Sequence, residues 1–216
     1  MGSYIDWSKT TKSSNYRGSG SFSTFMIIGP TCFFLGTLFA SFPYDFPLLW
    51  SKEPVPASYY DQIETHLTFI HQSPPLIGRI LNIIVSVGFL GLFIKLFRPS
   101  EANFLFDGAS LILYTIGVAV YITNIVKGLR TMSSGYFSSD DFKNAKARFE
   151  GEVILGREDS LRVLSASNTI LALVLIGVLV LQAGQWYAEK RDSDDEAALA
   201  AKKDAPATKA ATKKKQ

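Results

Sequence analysis

The sequence predicts an all-α membrane protein with four transmembrane helices in a bundle. The strongest observation is an uncharged run of 26 residues, 163–188, whose centre is almost entirely Leu, Ile and Val. A helix needs about 20 apolar residues to cross the hydrocarbon core of a bilayer. Three more apolar blocks precede this run, and charged residues collect between the blocks and in the tail. A buried helix of a soluble protein resembles any single block, but four blocks in 216 residues favour a membrane.

We divide the chain into three parts. An N-terminal tail (1–21) precedes a four-span membrane domain (22–187), which a flexible Lys-rich tail (188–216) follows. The predicted spans are about 22–42, 76–96, 108–126 and 163–187.

The first span is predicted to end at Pro43, because proline disfavours the continuation of a helix. We interpret this span as an uncleaved helix, since its apolar run is too long for a signal peptide. Cys32, Gly36 and Ala40 recur every four residues and form a face of small side chains suited to close helix contact.

Short amphipathic helices are predicted in two of the connections. In the first connection, Tyr60, Ile63, Leu67 and Ile70 follow one another at helical spacing. A second short helix is predicted at about 139–149. His66 and His71 lack a third histidine or a cysteine that would complete a zinc site, so they are expected to be solvated loop residues.

The uncharged part of the second span is bounded by Arg79 and Lys95, and both are expected to extend their charged ends to the membrane surface. The third span carries a stripe of polar and small residues at spacings of three and four. We expect this stripe, with two asparagines of other spans, either to pack the bundle or to contact another membrane protein. The full candidate set is Asn82, Ser110, Tyr114, Gly117, Tyr121, Asn124 and Asn168.

Both termini are predicted to be cytoplasmic. With four spans the termini share one side, and thirteen of the 22 Lys and Arg residues fall on that side. Cytoplasmic loops carry such an excess of positive charge. Lys127 and Arg130 lie beside a membrane end on the opposite side and count against this orientation.

Catalysis is not expected from this sequence. The predicted spans contain no Asp, Glu or His, and no phosphate-binding glycine loop is present. Cys32 is the only cysteine, so neither a disulfide within the chain nor a cysteine metal cluster can form. We therefore predict no enzyme, no cofactor, no metal site and no nucleic-acid partner. A binding or scaffolding role is favoured, and a small multi-span transporter or channel subunit is the alternative.

Three segments resemble a known family. They are CFFLGTLFASFPYDFPLLW (32–50), YITNI (121–125) and LRVLSASNTILALVLIGVLVLQAGQWYAE (161–189). Together they resemble the fungal endoplasmic-reticulum membrane chaperones dedicated to amino acid permeases. The resemblance implies a multi-pass protein of the endoplasmic-reticulum membrane that assists folding of newly inserted permeases, prevents their aggregation and enables their exit in vesicles. It also implies contact between the tail and vesicle-coat proteins.

The last residues of the sequence resemble a dilysine retrieval signal of the endoplasmic reticulum. Lys213 and Lys214 stand four and three residues from the end of the sequence. An ordinary lysine-rich terminus is the alternative interpretation. A retrieval signal would require a cytoplasmic tail, in agreement with the charge distribution.

Overall fold

The computed structural model describes residues 19–97, 101–135, 137 and 156–213. These residues form six α-helices and one π-helical segment, and no strand occurs among them. The elements are α1 (Ser19–Trp50), α2 (Ala57–His71), α3 (Pro75–Leu96), α4 (Glu101–Val120), the π-helical segment (Tyr121–Val126), α5 (Lys127–Ser133) and α6 (Arg157–Lys213).

Four helical stretches are long and apolar enough to cross a membrane. They are Phe22–Trp50, Pro75–Leu96, Phe104–Ser133 and a stretch within Arg157–Leu199. The predicted all-α fold with four transmembrane helices is therefore confirmed.

The prediction that Pro43 ends the first span is wrong. Helix α1 continues through Pro43 and Pro47 to Trp50. Proline frees a backbone carbonyl, but membrane helices tolerate it where neighbouring helices stabilise the segment. Here Leu48 is buried against α2, α5 and α6, and Asp45 accepts a hydrogen bond from α6. These contacts hold residues 43–50 in the bundle.

The helical stretch that contains the third span extends beyond the predicted span at both ends. Helix α4 begins at Glu101, so much of the predicted loop at 97–107 is helical. At its other end the helix passes through the π-helical segment, widened by i→i+5 hydrogen bonding, and continues as α5 to Ser133. Asp107, which the sequence placed at a loop boundary, is thereby inside a helix and fully buried.

The helices form a four-membered ring in which α1 and α4 each pack against both α3 and α6. Glycines permit the closest approaches. Gly91 of α3 lies against Ser23 and Met26 of α1, and Gly117 of α4 lies against Leu171 of α6. The buried apolar core consists of Ile27, Phe34, Leu92, Tyr114, Ile125, Leu164, Leu171, Leu175 and Val178.

Helix α2 closes one end of the bundle, which we call the α2 end. It is the amphipathic helix predicted from sequence, with Tyr60 and Ile63 buried against Leu48, Met132 and Leu161. The two histidines lie in this helix instead of a loop: His66 stacks on Tyr44, with ring centroids 4.3 Å apart, and His71 is its last residue. The helix predicted at 139–149 lies outside the described residues.

We predict that Gly91→Ala lowers the free energy of unfolding by about 1–3 kcal/mol, because overpacking a tight contact forces the helices apart. A Cβ at position 91 would lie 2.8 Å from Cβ of Met26 and 2.9 Å from the carbonyl oxygen of Ser23. Unfolding in micelles by a denaturing detergent measures the change.

Gly78→Ala is the matched control on the same helix, since a Cβ there has no neighbour within 4 Å. Both substitutions raise helix propensity by about the same amount, up to 1 kcal/mol. Equal stability of the two variants would contradict the close α1–α3 contact.

Candidate functional site

A cluster of buried polar side chains joins α3, α4 and α6 at the end of the bundle opposite α2. We call it the Lys95 network. Lys95 is 6% exposed and Asp107 is fully buried. The network consists of Lys95, Asp107, Ser110, Gln182 and Gln185.

Hydrogen bonds connect every member of the Lys95 network. Nζ of Lys95 lies 3.1 Å from Oδ1 of Asp107 and donates to Oε1 of Gln182 (2.8 Å) and of Gln185 (2.7 Å). The two glutamine amides donate to the two carboxylate oxygens of Asp107, each at 3.0 Å. Gln182 also donates to Oγ of Ser110 at 3.1 Å. Each glutamine thus presents its oxygen to the cation and its nitrogen to the anion.

The network corrects two expectations from sequence. Lys95 does not extend to the membrane surface but turns inward to Asp107. The helices also contain acidic residues, Asp45 and Asp107, where the predicted spans contained none. Gln182 and Gln185 were missed as functional residues, although their i, i+3 spacing places both amides on one face of a helix.

A second set of polar contacts lies toward the α2 end. Nδ2 of Asn168 donates to Oδ2 of Asp45 at 2.9 Å, which joins α6 to the proline-containing end of α1. Nδ2 of Asn124, in the π-helical segment, donates to Oγ of Ser167 at 3.1 Å. The segment YITNI, one of the three that resemble the chaperone family, therefore coincides with the widened part of the third span. Wide turns of this kind frequently occur at functional sites.

Ionic and hydroxyl contacts attach α2 to the start of α6. Nη1 of Arg157 lies 2.8 Å from Oδ1 of Asp61 and 3.2 Å from Oε2 of Glu64. Arg162 donates to the hydroxyl oxygen of Tyr60 at 2.9 Å. Burial, with a smaller contribution from the nearby Asp45 carboxylate, raises the pKa of Tyr59. Its hydroxyl donates to the carbonyl oxygen of Tyr44 at 3.0 Å.

Six of the seven candidate residues predicted from sequence contact other helices of the bundle. Tyr114 donates to the carbonyl oxygen of Val85, and the ring of Tyr121 lies near that of Phe34. Gly117 lies against Leu171 and Val174. The remaining inward contacts, described above, are those of Ser110, Asn124 and Asn168.

Asn82 differs from the other six candidates because it is exposed on the outer side of α3. Within the described part of the chain its side-chain amide has no hydrogen-bond partner. Ser86 donates to the backbone carbonyl oxygen of Asn82 and leaves the side-chain amide unused.

One cavity inside the described part of the bundle is too small for a solute. A cavity of about 20 Å³, lined by apolar residues of all four spans and by Tyr114 and Tyr121, has room for roughly one water molecule. Among the described residues no group of three or more His, Cys, Asp or Glu could hold a metal ion. The described helices form a packed bundle in which the buried polar side chains have hydrogen-bond partners.

We predict that Lys95→Met lowers the free energy of unfolding by about 3–5 kcal/mol, because it leaves the Asp107 carboxylate buried without a cation. Asp107→Asn should also destabilise the bundle, since it leaves the ammonium group without an anion. The double variant should lose less than the sum of the two losses, by about 0.5–3 kcal/mol, because the two side chains interact directly. Detergent unfolding of the wild type, the two single variants and the double variant measures this coupling free energy.

Lys190→Met is the control, since Lys190 lies outside the network, over the ring of Trp186. It should lower the free energy of unfolding by at most about 1 kcal/mol, the upper value for an exposed cation–π contact. Additive losses for Lys95→Met and Asp107→Asn would contradict a direct interaction between these residues.

Comparison with known proteins identifies the family. Residues 18–216 match the model of the SHR3 chaperone family, described as "ER membrane protein SH3". The chain is also 24% identical over 161 residues to the secretory component protein psh3 of Schizosaccharomyces pombe, a match that covers 74% of this chain and 67% of that protein. No solved structure matches the chain. The chain therefore belongs to the SHR3 chaperone family and is a multi-pass chaperone of the endoplasmic-reticulum membrane that serves the secretory pathway.

Proposed function

We propose that this chaperone acts on amino acid permeases as they are inserted into the endoplasmic-reticulum membrane. It assists their folding, prevents their aggregation and makes them available for exit in vesicles, while it stays behind. The proposal is supported by the chaperone family of the chain and by the three segments that resemble permease-dedicated members.

One structural observation carries the proposal: an amide in the second span, that of Asn82, faces outward without an internal partner. A polar side chain in hydrocarbon without a hydrogen-bond partner costs free energy, so an unpaired amide there favours contact with another helix. The other polar candidates already have partners inside the bundle, so the chaperone can remain folded while Asn82 meets a client helix.

The outer surface of α1 suits the same role. Cys32, Gly36 and Ala40, predicted as a face for close helix contact, are all exposed, and a Cβ at Gly36 has no neighbour within 4 Å. Small residues let a second backbone approach closely. A hydrogen bond between membrane helices contributes only about 0.6–2 kcal/mol, which is weak enough for release.

We place both termini in the cytoplasm and assign the tail to retention. The excess of Lys and Arg on that side supports this orientation. In the cytoplasm the tail can reach vesicle-coat proteins, and Lys213 with Lys214 can act as a retrieval signal. Lys214 lies outside the described residues.

Deletion of the gene tests the function. Amino acid permeases should accumulate in the endoplasmic reticulum, while unrelated plasma-membrane proteins reach the cell surface normally. Fluorescent tagging of one permease and one unrelated plasma-membrane protein in the same cells measures both. Normal delivery of the permease would overturn the proposed client, and retention of both proteins would overturn its specificity.

Retention has its own test in the tail. Lys213→Ser with Lys214→Ser should let the protein leave the endoplasmic reticulum, because the retrieval signal is lost. Lys202→Ser with Lys203→Ser removes the same charge from the same tail and should leave the location unchanged. Fractionation of the membranes measures the outcome. Equal location of the two double variants would assign retention to the membrane domain instead.

A further inference from the structure

The outer side of α3 carries a line of three polar residues that we call the Arg79 face. It consists of Arg79, Asn82 and Ser86, which are spaced by three and four residues and so lie on one side of the helix. All three are exposed. The opposite side of α3 is buried in the bundle through Gly88, Gly91, Leu92 and Lys95. The line therefore faces away from the rest of the protein.

The Arg79 face differs from the Lys95 network and from the contacts of Asn124 and Asn168 because it is not satisfied internally. Within the described residues Arg79 has no ion pair and the Asn82 side chain has no hydrogen bond. Only the Ser86 hydroxyl is used, as a donor to the backbone at 2.8 Å. Lys95, on the same helix, shows the contrast: its ammonium group has three partners inside the bundle.

The depth of these residues indicates which part of a bilayer they occupy. At 1.5 Å per residue Arg79 lies about 6 Å from the start of α3, and Asn82 lies about 10 Å from it. Arg79 can therefore stay near the membrane surface at the α2 end, whereas the Asn82 amide lies within the hydrocarbon. Exposed apolar side chains lie close to Asn82 in the sequence of α3, among them Ile80 and Ile83, which are 45% and 62% exposed. Lipid tails offer this amide no hydrogen bond.

We propose that the Arg79 face binds a transmembrane helix of the client that carries a carboxylate near the membrane surface and a polar side chain one turn deeper. This inference rests on the proposed permease function and names the recognition surface. A guanidinium group binds a carboxylate through two parallel hydrogen bonds, which fixes the register of the client helix. The amide of Asn82 donates to and accepts from the deeper polar group, and the free lone pairs of Ser86 add an acceptor.

This chemistry selects unfinished clients. A permease helix whose own partners have not yet been made presents unpaired polar groups to the lipid, and the Arg79 face offers them a partner. Once the remaining permease helices arrive, they pair with the same groups. Because the contacts on both sides are of similar strength, the client leaves when its own fold satisfies more of them.

Photocrosslinking tests the surface during permease synthesis. A photoreactive residue at position 90, one turn from Ser86 on the same side of α3, should crosslink to a co-expressed amino acid permease. The same probe at Leu173 of α6, which is 64% exposed, is the control and should not crosslink to the permease.

Arg79→Gln combined with Asn82→Leu should reduce the crosslink from position 90 about tenfold. Ile83→Leu, an exposed apolar change on the same helix, should leave it unchanged.

Three outcomes would overturn the proposed surface. They are equal crosslinking from positions 90 and 173, a crosslink that the double variant does not weaken, and a crosslink from position 90 to a second copy of this chain.

Detergent unfolding confirms that the double variant retains the stability of the wild-type bundle. If that folded variant delivers permease as well as wild type does, the surface is wrong while the chaperone function stands. If deletion of the whole gene leaves permease delivery intact, the function itself is wrong.

Discussion

The structure depends on one buried ion pair, Lys95 with Asp107. A charged side chain in a membrane helix costs up to roughly 2.5–3.5 kcal/mol on insertion scales, with the largest cost at the helix centre. Helices α3 and α4 each carry one near the same end of the bundle. Pairing removes the net charge, and Gln182 with Gln185 completes the hydrogen bonds of both ions. Three helices are thereby held in one register. Because Gly91 lies one turn before Lys95 and packs against α1, the fourth helix is positioned beside the same network.

The two ends of the bundle are held together by different means. At the network end the ionic contacts are buried, whereas the ion pairs of Arg157 at the α2 end are partly exposed. At the α2 end, amide side chains join the proline-containing part of α1 and the π-helical segment to α6, and α2 covers the apolar contacts beneath. Every buried side-chain nitrogen and oxygen among the described residues has a hydrogen-bond partner. The described bundle therefore needs no other protein to satisfy its interior.

The sequence was sufficient for the four spans and for α2, because long apolar runs and helical periodicity are local signals. It did not predict the Lys95 network, in which Lys95 and Gln182 are separated by 87 positions. Charged residues next to an apolar run are usually helix boundaries, so Lys95 was expected at the membrane surface and Asp107 in the loop before the third span. Pro43 and Pro47 were misleading for a similar reason: proline ends helices in water, whereas the contacts of Asp45 and Leu48 keep this segment helical here. For the candidate residues, the sequence predicted a polar set but not which members face inward.

The division between inward and outward polar groups bears on how such a chaperone works. If the interior groups of the bundle were unpaired, they would compete for the groups on the client, and the chaperone would bind membrane helices indiscriminately or aggregate. Since the interior is satisfied, binding is left to a few outward groups, among them the Asn82 amide on α3. A contact of about 1 kcal/mol per hydrogen bond changes an equilibrium less than tenfold. Several such contacts together are selective, yet each can be replaced separately as the client acquires its own helices, so release needs no input of energy beyond the folding of the client.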